Sequence, residues 1–209
     1  MRNVLAIVAA SVAVAGCAPR AKPLSGTLAP ERKLPGIEIP AGHRRIVFRW
    51  DYEENALLAR GEGAARIASP DSARVDLFLN GGLAVGRAIL IGNTIRATNQ
   101  AQVERFLPPP PMMWAALGRL AIPALPDTVI TMEGESLHAD IGRPVAWRVT
   151  ITGNRIMQLA RINGGRIVEV VTRDMGGRLL YEVPGRRKLW LGITRDEEVP
   201  AFDASIWGP

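Results

Sequence analysis

The sequence predicts a mainly β domain of α+β type: one long, curved, antiparallel sheet with one or two short helices over its concave face. Three observations predict it. From His43 onward, apolar and polar residues alternate with period two over many segments. Pairs of turn-forming residues such as Gly92-Asn93 and Gly153-Asn154 punctuate those segments. One stretch, after Pro108-Pro109-Pro110-Pro111, instead carries its large apolar residues at helical spacing.

The chain opens Met1-Arg2-Asn3, followed by an apolar run over residues 4–15. An early positive charge and roughly 7–15 apolar residues form a secretory signal pattern. The run is shorter than the roughly 20 residues a spanning helix needs. It closes in Val14-Ala15-Gly16-Cys17, which resembles the bacterial lipobox. The resemblance implies cleavage after residue 16 and acylation of Cys17, so that membrane lipid holds the chain. Cys17 is the sole cysteine among 209 residues, so no intramolecular disulfide can form. In enterobacteria an Asp directly after the lipidated cysteine retains such proteins at the inner membrane. Here that residue is Ala18, so under that rule the expected location is the periplasmic face of the outer membrane.

Residues 17–43 carry Pro19, Pro23, Pro30, Pro35 and Pro40 without an apolar period. They read as a lipidated, semi-extended tether, leaving 44–209 as one folded domain. The net charge is +6 and the pI about 10.4. For an exported chain this favours anionic lipid headgroups over nucleic acid as partner. An arginine-rich solvated face is the alternative.

The strands follow from the alternation. Ile46, Phe48 and Trp50 share a face, with Arg49 and Asp51 opposite. Val75, Leu77 and Leu79 oppose Arg74 and Asp76. Val145, Trp147, Val149 and Ile151 oppose Arg148 and Thr150. About ten strands are expected, mostly antiparallel neighbours. Asn163-Gly164, Gly176-Gly177, Gly134 and Gly185 supply further turns. Gly61 and Gly63, inside residues 57–68, predict a bend or bulge. The helical stretch runs over 112–121, with Met113, Trp114, Leu117 and Leu120 in period and Pro123 as its stop. A shorter helix is expected over 101–106.

Three stretches resemble the LolA/LolB superfamily of lipoprotein carriers, most nearly its membrane-anchored LolB branch. They are Asp76-Leu77-Phe78-Leu79-Asn80-Gly81-Gly82-Leu83, Met113-Trp114-Ala115-Ala116-Leu117-Gly118, and Val145-Ala146-Trp147-Arg148-Val149-Thr150-Ile151. The resemblance implies an incomplete antiparallel barrel with a helical lid over a hydrophobic cavity. It implies a protein that binds acyl chains of client lipoproteins and receives or inserts them. The implied donor is a soluble periplasmic LolA-like carrier. Where the LolB branch has proline before its loop leucine, this chain has Gly82.

Candidate sites follow. Leu83 stands at a predicted hairpin tip, as a membrane-inserting residue or as a turn leucine folded back on the sheet. Phe48, Trp50, Leu77, Leu79, Trp114, Leu117, Trp147 and Val149 line a cavity for acyl chains or form packed core. Phe202, Ile206 and Trp207 either pack on the sheet or face a membrane. Asp196-Glu197-Glu198 reads as a solvated turn. His43 and His138 have no metal-ligand spacing, no G-x-S-x-G elbow occurs, and Gly61-Glu62-Gly63 lacks the third glycine of a dinucleotide loop. The expectation is therefore a non-enzymatic protein without catalytic residues, metal or cofactor. A scaffold for envelope assembly or sensing, binding proteins through sheet edges, is the alternative function.

Overall fold

A computed structural model describes residues 18–97 and 106–208. The signal segment, Cys17 and all but the last residue of the helix expected over 101–106 lie outside the described residues.

Alternation of apolar residues makes strands, and tight turns make them antiparallel neighbours. The strands are β1 (Thr27–Leu28), β2 (His43–Glu54), β3 (Leu57–Ala68), β4 (Ser72–Leu79), β5 (Ala84–Ile91), β6 (Thr94–Ala97) and β7 (Thr128–Glu133). They continue with β8 (Ser136–Ile141), β9 (Trp147–Thr152), β10 (Arg155–Asn163), β11 (Arg166–Arg173), β12 (Leu179–Val183) and β13 (Arg187–Val199). One helix, α1 (Pro110–Leu117), and a 3-10 turn (Ala204–Trp207) complete the described elements. All thirteen strands share one sheet, ordered β1-β7-β8-β9-β10-β11-β12-β13-β2-β3-β4-β5-β6. The sheet is antiparallel and does not close into a barrel.

Two meanders meet at the seam between β2 and β13, which runs from Glu54 opposite Arg187 to His43 opposite Val199. Along β2 the period is kept to the residue: Ile46, Phe48, Trp50 and Tyr52 are buried and Arg45, Arg49 and Asp51 are not. The acidic run Asp196-Glu197-Glu198 belongs to this seam. It is strand, not turn, because it faces the basic start of β2, where Asp196 pairs with Arg44. Val145, expected in a strand, lies in the turn before β9, which is closed by the Ala146 N–H on the Ile141 carbonyl at 2.9 Å.

Gly61 and Gly63 do not form a bulge. Strand β3 pairs without register shift to β2 and β4. Glycine is needed there because the rings of Trp50 and Phe48, directly opposite, lie over the bare backbone. A Cβ on Gly61 would sit 1.8 Å from the Phe78 carbonyl oxygen and 2.9 Å from the Trp50 ring, and one on Gly63 2.5 Å from the Phe48 ring. The sheet bends instead at register shifts beside Leu77, Ile162, Ile156 and Ile193.

The outer face is basic and partly neutralised. Asp76 gathers Arg66 at 2.7 Å, Arg74 at 3.0 Å and Arg87 at 3.0 Å. Burial alone would raise its pKa, but hydrogen bonds from Arg74 and Arg87 and the charges of Arg74 and Arg66 hold it below the ordinary carboxylate value. Arg74 also donates to the Ile206 carbonyl at 3.1 Å, which ties the C-terminal turn to the sheet. There Phe202 meets His43 edge-on at 5.5 Å and Trp207 at 6.2 Å.

The proline-rich segment is not a free leash once past residue 17. Ala21 N–H bonds the Gly165 carbonyl at 2.9 Å and Ile167 N–H the Pro19 carbonyl at 2.9 Å. The Thr131 hydroxyl donates to the Ser25 carbonyl at 2.5 Å, and β1 adds an edge strand to β7. Beyond it, Ala29, Ile37 and Ile39 enter the core. The prolines fix an extended path that needs few donors, while these apolar residues supply the burial that docks it. We predict that Ile37→Ala lowers unfolding free energy by about 3 kcal/mol, read from denaturant midpoints. A change below about 0.5 kcal/mol, normal for an exposed linker position, would return the segment to the status of a leash.

Candidate functional site

Helix α1 begins where its sequence allows. Pro110 and Pro111 occupy the first turn, whose N–H groups have no helical partner in any case. The N–H groups of Met112 and Met113 each reach the Pro109 carbonyl at 3.0 Å. The helix stops at Gly118, earlier than the residue 121 expected from periodicity. Gly118 takes a left-handed φ of 98°. Its N–H bonds the Ala115 carbonyl at 3.2 Å and that of Arg119 the Trp114 carbonyl at 2.8 Å, which is a Schellman closure. Leu120 then leaves the helix, its N–H pairing with the Ile37 carbonyl at 2.9 Å.

The sheet wraps around this helix. The buried Trp114 indole N–H donates to the Gly92 carbonyl at 2.6 Å, at the turn between β5 and β6. On the other side Arg173 of β11 donates to the Ala116 carbonyl at 2.8 Å. β5 and β11 are six strand steps apart in the sheet order, about 29 Å if flat at ~4.8 Å per step. One helix, about 10 Å across, touches both only because the sheet is strongly curved. Arg119, over the Trp114 ring at 5.2 Å and paired with Glu38 at 3.0 Å, fastens the exit of the helix.

Between α1 and the sheet lies a small apolar cleft of about 60 Å³. Ile46 and Phe48 of β2, Ala65 of β3, Val75 and Leu77 of β4, and Leu179 of β12 form its walls. Leu189, Leu191 and Ile193 of β13 continue them, and Leu107, Pro108, Met113, Ala116 and Leu117 form its roof. An aliphatic lining of this kind suits an apolar ligand.

Of the eight residues expected to line a cavity, Phe48, Leu77 and Leu117 do so. Trp50, Leu79, Trp114, Trp147 and Val149 do not line this cleft. Trp50, Trp114, Trp147 and Val149 are buried core, and Leu79 packs against it. Their packing explains why. The Trp50 N–H is spent on the Glu62 carbonyl at 3.0 Å, and its ring joins Tyr52 and Phe106, whose centroids lie 4.9 Å apart. That aromatic cluster fills one half of the concavity and leaves the other half to smaller aliphatic side chains. Sequence reasoning favoured the large aromatics. The missed residues of β12 and β13 carry the same period-two signal but in irregular, mixed segments.

Leu83 is 68% exposed, so it is not folded back on the sheet. It sits in the β4–β5 turn, where Gly81 and Gly82 take φ of 96° and 85°. The pairing places this turn at the same end of the sheet as the β2–β3, β8–β9, β10–β11 and β12–β13 turns. Leu58, 71% exposed, belongs to that end, and the Arg60 carbonyl accepts the Asn80 N–H at 3.3 Å, joining the two tips. Ala18, the residue after Cys17, is held there too, its carbonyl accepting from Arg166 at 2.9 Å. Arg60, Arg143, Arg166 and Arg186 are exposed at the same end.

The histidines stand apart from the cleft lining. His43 packs on Phe202, and His138 Nδ1 lies 3.0 Å from the Thr150 hydroxyl. Among the described residues no three His, Cys, Asp or Glu side chains gather as metal ligands.

No protein-family model and no curated protein matches the sequence. Solved structures do. A LolA superfamily protein from Nitrosomonas europaea superposes with a TM-score of 0.50 at 9% identity, over 83% of this chain and 93% of the other. A DUF1329 family protein from Desulfovibrio piger gives 0.44 at 7% identity, over 80% and 90%. A Vibrio parahaemolyticus domain described as a putative outer membrane lipoprotein-sorting protein gives 0.43 at 5% identity, over 80% and 89%. The first of these shows that the fold is LolA-like, in agreement with the incomplete barrel expected from the sequence.

Proposed function

We propose that this chain is a lipid-anchored carrier that holds acyl chains in the cleft beneath α1 and exchanges them with a membrane. The observation that carries the reading is the cleft itself. An interior lined by aliphatic side chains forgoes stabilisation of about 25 cal/mol for each Å² left unfilled. Such a space is useful to a protein that fills it with a ligand. Acyl chains need no hydrogen-bond partners and match the lining.

In this reading the lipid on Cys17 anchors the chain at the outer membrane. The end of the sheet that holds Ala18 and Leu83 faces the leaflet. Leu83 and Leu58 enter its surface, and the exposed arginines meet anionic headgroups. The clients are lipoproteins delivered by a soluble LolA-like carrier, as in the LolB branch. Binding and release run down a gradient of affinity, so the protein is not an enzyme and uses no cofactor.

Filling the cleft tests the carrier role. Ala65 is buried at its wall, and Ala65→Phe is expected to weaken binding of a fluorescent acyl probe at least about tenfold. Its stability should fall by no more than about 3 kcal/mol, the usual cost of overpacking. Undiminished probe binding by a folded variant would remove the cleft from the account. Leu83→Glu tests the membrane end. Losing one buried leucine is worth about tenfold in partitioning, so transfer of a lipoprotein client into vesicles should drop by about that factor while probe binding stays intact. Unchanged transfer would assign Leu83 no part in insertion.

A further inference from the structure

The apolar cleft continues into a charged mouth. Ile46, Ala116, Leu117 and Ile193 line both the cleft and a second depression of about 270 Å³. This depression lies at the end of the sheet opposite Leu83, beside the β9–β10 turn. Its charged groups are Arg44, Arg155, Arg173, Glu38 and Asp196. Both acids are already engaged, Glu38 by Arg119 at 3.0 Å and Asp196 by Arg44. Two guanidinium groups remain.

Arg173 is half-buried, and its one side-chain hydrogen bond among the described residues goes to the neutral Ala116 carbonyl. Other partly buried arginines hold carboxylates: Arg74 with Asp76, Arg148 with Asp140, Arg161 with Glu169. A cation at the C-terminal end of α1 is favourable, which accounts for Arg173. It does not account for Arg155, the first residue of β10, which faces the same depression without an ion pair among the described residues. Burial first, and then the Arg155 charge, press the Arg173 pKa below the usual guanidinium value, with Asp196 opposing. The two guanidinium groups are like charges facing one depression, and a bound anion relieves their repulsion.

We propose that cleft and mouth form one site for an anionic amphiphile, with its acyl chain in the cleft and its carboxylate or phosphate head between Arg155 and Arg173. The proposal rests on the acyl-chain reading of the cleft and names the ligand class. An anionic head accepts charge-assisted bonds from both forks and cancels the repulsion between them. A neutral acylglycerol head does neither.

The test uses the full chain reconstituted in phosphatidylcholine vesicles. Three probes carry the same photoactivatable acyl chain on a fatty acid, on phosphatidylglycerol or on neutral diacylglycerol. Labelling of Ile46, Leu117 and Ile193 is read by peptide mass spectrometry. At least one anionic probe is expected to label these residues about tenfold more than diacylglycerol, and the stronger of the two identifies the head as carboxylate or phosphate. Arg155→Gln alters an exposed side chain with no ion pair among the described residues, and it should bring labelling by the anionic probes close to the diacylglycerol level. Equal labelling by all three probes, or a preference that survives Arg155→Gln, overturns the anionic site and leaves the acyl-chain reading standing. No labelling by any probe overturns both.

Discussion

The Trp114 indole donates its N–H to the Gly92 carbonyl at 2.6 Å from a fully buried position, and the placement of α1 depends on that bond. Left unpaired, a buried indole N–H costs about 1–3 kcal/mol. The turn between β5 and β6 must therefore reach the helix, and the sheet must curve to bring it there. Arg173, Arg119 and Leu120 secure the other sides. The helix has only eight residues, about 12 Å of length. It covers part of the concavity, the Trp50, Tyr52 and Phe106 cluster fills another part, and the cleft is what remains.

Much of the fold was legible because it rests on local rules. Period-two alternation located β2, β4 and β9, and glycine with asparagine located the turns. The proline run located the start of α1. Three features were hidden because their causes are not local. Gly61 and Gly63 looked like a bulge, since nothing in residues 57–68 announces that Trp50 and Phe48 will lie across them. Ala29, Ile37 and Ile39 looked like linker, since three apolar residues among prolines form no period. Asp196 looked like turn, since its partner Arg44 is far away in sequence.

The site was legible in kind and less so in detail. Phe48, Leu77 and Leu117 sit where alternation and helical spacing put them. Trp50 and Trp114 went to the core instead, because a large ring with a polar N–H is most stable where a backbone carbonyl can meet it. Aliphatic residues of β13 inherit the cleft because the aromatics fill the other half. The exposure of Leu83 depends on the two left-handed glycines before it, and that the turn there projects was readable from Asn80-Gly81-Gly82 alone.

The two ends of the sheet differ in chemistry. One holds exposed leucines, exposed arginines and the residue that follows Cys17. The other holds the charged mouth of the cleft. In the proposed function this mouth, set away from the membrane face, is where a ligand would pass to or from a soluble donor. The most direct test of the central claim is mass spectrometry of small molecules extracted from the full chain purified out of its own membrane. The account predicts acyl-chain ligand retained at near one per protein, and lost in the cleft-filled Ala65→Phe variant. Protein that carries no acyl ligand, or equal ligand in both forms, would contradict it.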